Sequence, residues 1–158
     1  AVEFTKLAIK IYYLVIQFRC NLKNMQTIYK SDYCEYIFHS EMNLLIGRWF
    51  NTDHMTQDTF KNELLNGELF SIKEYKPKVY LVDTSSFQLP IAPDTQQWMV
   101  ENISVNYAKY GVKKIAFLSS KSFVVQLSIQ QSNGESVDRE VEKKHFNNEE
   151  EALNWLKS

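Results

Sequence analysis

Residues 78–83 read Lys-Val-Tyr-Leu-Val-Asp behind Pro77, and residues 113–118 read Lys-Lys-Ile-Ala-Phe-Leu. Each is a short, continuously apolar run, the pattern of a strand buried on both faces rather than one alternating between core and water. Buried strands of this kind belong to parallel sheets, and parallel strands need crossover connections, usually helices. The flanking sequence carries that signal. Upstream, Thr56 is placed to cap a helix in which Phe60, Leu64, Leu65, Leu69 and Ile72 recur at helical spacing until Pro77 forbids continuation. Gly67 weakens that helix without reversing it. Between the two runs, Pro90 and Pro93 punctuate a loop, and Asp94 opens a helix whose stripe is Met99, Ile103, Tyr107 and Tyr110, closed by Gly111 at the C′ position.

Outward from this centre, Tyr33 to Phe38 and Leu44 to Trp49 are aromatic and β-branched runs around a polar turn at His39-Ser40-Glu41, the pattern of an antiparallel hairpin. On the other side, Ser119-Ser120 offers a cap for a helix with Phe123, Val124 and Leu127, ended by Asn133-Gly134. His145-Phe146 forms a last short strand, and Asn148 with Glu151 three residues on caps a terminal helix bearing Ala152, Leu153, Trp155 and Leu156. The expected fold is α/β, a sheet of roughly four to five mostly parallel strands with an antiparallel N-terminal hairpin at its edge and about four helices.

At 158 residues the chain supports one domain with a real core. Hydrophobic residues at 44% and charged residues at 23% are ordinary globular usage, which excludes disordered and fibrous classes. The net charge of −1 offers no long-range field for nucleic acid or an anionic membrane, which normally requires a clustered basic surface. Charge is uneven, however: residues 1–24 hold Lys6, Lys10, Arg19 and Lys23 against Glu3, so the remainder carries −4. Cys20 and Cys34 allow one disulfide at most and fit structural thiols in a reducing, cytoplasmic setting. Residues 7–18 are apolar apart from Lys10 and Gln17, yet too short to span a bilayer and without a small-residue cleavage site. We expect residues 1–24 to be an extension upstream of a natural start at Met25, and residues 25–158 to form the domain.

The segments PKVYLVDTSSFQL, KKIAFLSSKSFVVQLSI and NNEEEALNWL, in this order and spacing, resemble the STAS (sulphate transporter and anti-sigma factor antagonist) superfamily. The closest likeness is to its bacterial SpoIIAA-like branch of uncharacterised proteins, related in fold to CRAL-TRIO lipid carriers. The resemblance covers residues 25–158 and implies a four- or five-stranded sheet with helices on one side, no catalytic apparatus, and docking onto other proteins. One departure matters. Anti-sigma antagonists carry an Asp-Ser-Ser-Gly segment with a phosphorylatable Ser at a helix start; Ile91-Ala92-Pro93-Asp94-Thr95 stands there instead. Thr95 is then the one local hydroxyl for phosphorylation, and a first-turn polar role describes it better.

Asp83 and Asp94 fall near the C-terminal ends of parallel strands, where α/β folds place their sites, and two carboxylates there could hold Mg²⁺. A strand-ending acid and a helix cap account for both more simply. Ser119-Ser120-Lys121-Ser122 has the letters of a Ser-Lys nucleophile but no visible oxyanion hole or acid partner, and reads as a cap and ligand-facing loop. His39, His54 and His145 are widely separated and neither Cys has zinc-motif spacing with them. Lys113-Lys114, Lys143-Lys144 and Arg139 are interleaved with acids, as on a solvated face. The expectation is a non-enzymatic regulatory domain without cofactor or metal, contacting a protein partner through Asp83, Thr84, Ser85, Ser86, Asp94, Thr95, Ser119, Ser120, Lys121 and Ser122. The rival is a small carrier of an apolar molecule, its aromatic residues lining a pocket. Nucleic-acid binding and stable membrane insertion are not expected, and homo-oligomerisation is left open.

Overall fold

Pro77 stops one helix and delivers the chain into the first buried strand; the rest of the architecture is organised around that strand and its neighbours. The computed structural model describes residues 7–9, 11, 24–119 and 140–158. Six strands form one sheet in strictly sequential order: β1 (Met25–Lys30), β2 (Cys34–His39), β3 (Leu44–Trp49), β4 (Val79–Thr84), β5 (Lys114–Ser119) and β6 (Glu142–Phe146). The first two pairings are antiparallel, and β3 to β6 run parallel. The two decisive runs are adjacent, with Tyr80 opposite Ile115 and Leu81 opposite Ala116. The sheet is wider than four to five strands because the hairpin is a three-stranded meander, β1 adding a largely solvent-facing edge.

Helix α1 spans 57–75 and α2 spans 93–109, each α-helical at both ends and π-helical in the middle, over Leu64–Leu69 and Val100–Ser104. Helix α3 is Glu149–Lys157. Local rules fix the ends. Thr56 caps α1 by accepting from the Thr59 amide at 3.1 Å, and Asn148 caps α3 by accepting from the Glu151 amide at 2.9 Å. Gly111, at φ 99°, closes α2 as the positive-φ C′ residue: its amide donates to Ala108 and that of Val112 to Tyr107. The helical stripe over residues 123–127 lies outside the described residues.

Alternation along the strands sends Leu45, Trp49, Tyr80, Val82 and Ile115 to one face, where α1 and α2 contribute Phe60, Leu64, Ile72 and Ile103. Leu44, Ile46, Leu81, Ala116 and Leu118 go to the other, under Ala152 and Leu156 of α3. The helices therefore cover both faces, not one as the STAS resemblance implied, because β3, β4 and β5 are apolar on both. Trp49, Phe60 and Phe87 form a mutually packed aromatic trio with centroids 5.3–5.4 Å apart. Each such pair adds about 0.5–1.5 kcal/mol beyond area burial. The ring of Tyr36 fits between Gly47 and Gly67; a Cβ at Gly67 would lie 2.5 Å from it and one at Gly47 2.7 Å. Gly67 is thus required by close approach of helix to sheet.

Candidate functional site

The C-terminal ends of β3, β4 and β5 form a rim, and the sequence-predicted residues from Asp83 to Thr95, with Ser119, lie along it or on the segment that leaves it. Asp83 is the Cα partner of Arg48 across β3 and β4. Arg48 Nη1 donates to Asp83 Oδ2 at 3.0 Å while Nη2 donates to Glu149 Oε1 at 2.5 Å, tying the sheet to the first turn of α3. The other oxygen, Asp83 Oδ1, accepts from the Ser85 amide at 3.1 Å and its hydroxyl at 2.7 Å. Thr84 is buried and donates to the Leu118 carbonyl at 3.2 Å. Asp83 is therefore a fastener between strand, turn and helix, with both oxygens engaged.

Beyond it, Ser85 and Ser86 form a turn closed by the Phe87 amide on the Thr84 carbonyl at 3.1 Å, and in the segment that follows Phe87, Leu89 and Ile91 are sunk into the core at alternate positions while Ser85, Ser86, Gln88 and Pro90 face water. Three side chains strap this segment down. Thr52 Oγ1 accepts from the Gln88 and Leu89 amides at 2.7 and 3.0 Å. Gln57 donates to the Pro90 carbonyl at 2.8 Å and accepts from the Ala92 amide at 3.2 Å. Gln96 donates to the Ile91 carbonyl at 3.0 Å. Five side-chain hydrogen bonds thereby attach the backbone of this loop to the domain.

Asp94 is not the helix cap. Ala92 occupies that position without a side-chain bond, and Pro93 takes the first helical place, where its missing N–H costs nothing. Asp94 is an exposed acid in the first turn whose Oδ1 accepts from the Thr95 amide at 3.0 Å. Asp83 projects toward α3, whereas Asp94 opens a helix of the opposite layer, so the two do not form a metal pair. Among the described residues no cluster of three or more His, Cys, Asp or Glu is arranged to hold a metal. Thr95 is fully buried, and its hydroxyl, like that of Ser119 at the end of β5, has no hydrogen-bond partner among the described residues. Ser120, Lys121 and Ser122 lie outside the described residues. His39 is the buried last residue of β2, and its Nδ1 accepts from the Met42 amide of the following turn at 3.3 Å. His145 stacks on Phe117 at 5.0 Å, and desolvation lowers its pKa.

Sequence reasoning missed a second polar centre. Under α1, Glu68 is 3% exposed and accepts from three phenols: Tyr80 at 3.0 Å and Tyr36 at 3.4 Å on Oε2, and Tyr107 on Oε1. Burial raises its pKa, and the bonds from Tyr107, Tyr80 and Tyr36 oppose the rise. Burial and then the Glu68 charge push the Tyr36 and Tyr80 phenols well above their ordinary range. One turn earlier Glu63 accepts from Ser31 at 2.8 Å and from the buried Cys34 thiol at 3.2 Å. Burial, reinforced by Glu63, pushes that thiol up and the Tyr29 phenol to about 12. Cys34 is a protonated donor, not a nucleophile.

The π-helical segment explains why these acids face inward. At 3.6 residues per turn, positions four apart drift by about 40° per step. The wider i→i+5 turns over Leu64–Leu69 remove much of that drift, so Phe60, Leu64, Glu68 and Ile72 line up toward the sheet while Leu65 turns out to 39% exposure. The arrangement is one carboxyl group ringed by three protonated phenols that donate to it, and its chemistry is that of a structural hydrogen-bond network. No helix among the described residues is long and apolar enough to cross a membrane. Comparison of this chain with protein-family models, with curated proteins and with solved structures gives no match.

Proposed function

We propose that this chain is a non-catalytic, STAS-type regulatory domain of the cytoplasm that docks onto a protein partner through the rim at residues 84–95 and Ser119. The observation that carries this reading is the strapped segment 85–92. Because Thr52, Gln57 and Gln96 fix its backbone and Phe87, Leu89 and Ile91 anchor it, its outward residues Ser85, Ser86, Gln88 and Pro90, with Pro93 and Asp94, form one rigid polar surface. Preorganisation lowers the ordering cost that association otherwise carries. Asp83, committed to Arg48 and Ser85, serves that surface as support. The packing of Trp49, Phe60 and Phe87 on one another favours rings that fill the core over rings that line a ligand pocket, and so favours docking over carriage of an apolar molecule.

The test is affinity capture from the native host followed by the same capture with Ser86→Arg and Gln88→Arg on the exposed rim. A stoichiometric partner retained by the wild type and lost from both variants at unchanged Tm is the expected result. Loss of the partner from neither variant removes the rim from the mechanism. Native mass spectrometry finding a stoichiometric apolar ligand instead would replace docking with carriage.

A further inference from the structure

Helices α1, α2 and α3 carry acid in the first turn and a lysine in the last: Asp58 and Lys73 in α1, Asp94 and Lys109 in α2, Glu149, Glu150, Glu151 and Lys157 in α3. That placement complements the helix dipole. These helices start at the rim and run back along the parallel strands, so the local preference sorts their charges to opposite ends of the described sheet. At the end away from the rim, the α1–β4 and α2–β5 connections add Lys76, Lys78 and Lys113, which no helix terminus requires. These connections are side by side: the Lys113 amide donates to the Lys78 carbonyl at 2.8 Å. The ammonium groups of Lys109 and Lys73 both lie over the Tyr110 ring, 5.4 and 6.0 Å from its centroid. None of Lys73, Lys76, Lys78, Lys109 and Lys113 joins an ion pair among the described residues. Glu74 lies in the last turn of α1 just before the first connection, and Glu41, Glu140 and Glu142 border the two connections, which themselves hold no acid.

We propose that this lysine end is a reversible docking surface for the anionic headgroups of a lipid bilayer. Charge complementarity selects a polyanion, and a group of roughly four to eight basic residues on one face is the size that binds anionic lipid. Two observations favour a bilayer over nucleic acid. The patch is built of lysines, point charges suited to a diffuse anionic plane, while Arg48, the one described arginine, is engaged at the opposite end. The Tyr110 ring, where a base would stack, is occupied by the two ammonium groups. A bilayer needs neither base readout nor stacking, and the acidic rim would face away from it, which orients the molecule on approach.

Co-sedimentation with vesicles of mixed phosphatidylserine and phosphatidylcholine at low salt tests this on the full chain. Binding is expected to the mixed vesicles, not to pure phosphatidylcholine, and to be lost at ~0.5 M salt, where screening is nearly complete. The double variant Lys78→Glu/Lys113→Glu should lower the bound fraction roughly tenfold or more. Lys78→Gln/Lys113→Gln should give a smaller loss, with far-UV circular dichroism unchanged in both. Absence of wild-type binding at low salt overturns the proposal. So does binding that survives both substitutions, which would place the contact elsewhere, as on the exposed Leu7, Ile9 and Ile11. Tighter binding to duplex DNA than to the mixed vesicles, lost in the same variants, would assign the patch to nucleic acid and overturn it as well.

Discussion

Glu68 is an acid without a described cation beside it, stabilised by phenol hydrogen bonds alone, and its raised pKa makes stability depend on pH. Below the ordinary carboxyl range the side chain is neutral in both folded and unfolded chains, and its burial carries no charge penalty. As pH rises, the unfolded chain loses this proton first, so the contribution falls until the folded-state carboxyl also ionises. Glu68→Gln removes that slope: wild type and variant should have similar Tm near pH 4, with the variant gaining on the wild type toward pH 7, as differential scanning calorimetry would show. A variant that loses stability equally at both pH values would mean that the carboxylate's hydrogen bonds outweigh its desolvation. Neither Glu68 nor Arg48 was legible in the sequence. Their partners lie 12 to 39 and 35 to 101 residues away, and a charged residue in an apolar stripe looks like an exposed helix position until its neighbours are known. Asp83 was legible as a strand end, though not as the other half of a pair.

At the scale of the element, α1 shows how a space constraint overrides propensity. Gly67 costs the helix about 1 kcal/mol relative to Ala in isolation. In place, a methyl group there would meet the Tyr36 ring at 2.5 Å and the Tyr29 ring at 3.0 Å. Gly67→Ala is expected to destabilise the fold by about 1–3 kcal/mol, the range for overpacking, despite its better helix propensity; urea denaturation measures it. Helix ends set by one residue's chemistry, Thr56, Gly111 and Asn148, were readable because capping is local. Asp94 was misassigned because Pro93 takes the first helical position and moves the cap to Ala92. The inward line of α1 could not be read at a 3.6-residue period, since the π-helical turns change the period itself. Strand β1 was hidden for a different reason: MQTIYK pairs along one edge only and fully buries none of its side chains, so it lacks the apolar signature of β4 and β5.

At the scale of the whole fold, the acids of the helix starts and the lysines of the helix ends and connections lie at opposite ends of the described sheet, which a net charge of −1 does not reveal. Lys113-Lys114 and Lys143-Lys144 looked interleaved with acids along the chain; the common direction of the helices, and the two connections beside each other, bring Lys73, Lys76, Lys78, Lys109 and Lys113 to one end. On mixed phosphatidylserine vesicles, amide hydrogen exchange should slow at residues 76–78 and 109–114 while residues 85–92 keep their free-state rates, because the two surfaces occupy opposite ends. Slowing at 85–92 alone would reverse the assigned orientation. The fold class itself was legible, since two doubly buried strands with helical connections leave few alternatives. The sequential strand order has one more consequence. Each described strand after the first pairs with the described strand made before it, so none of these strands must wait for a distant later sequence or be inserted between partners already joined. During synthesis each newly emerged strand meets a finished template edge, and the sheet can be laid down in the direction of translation, one ladder at a time.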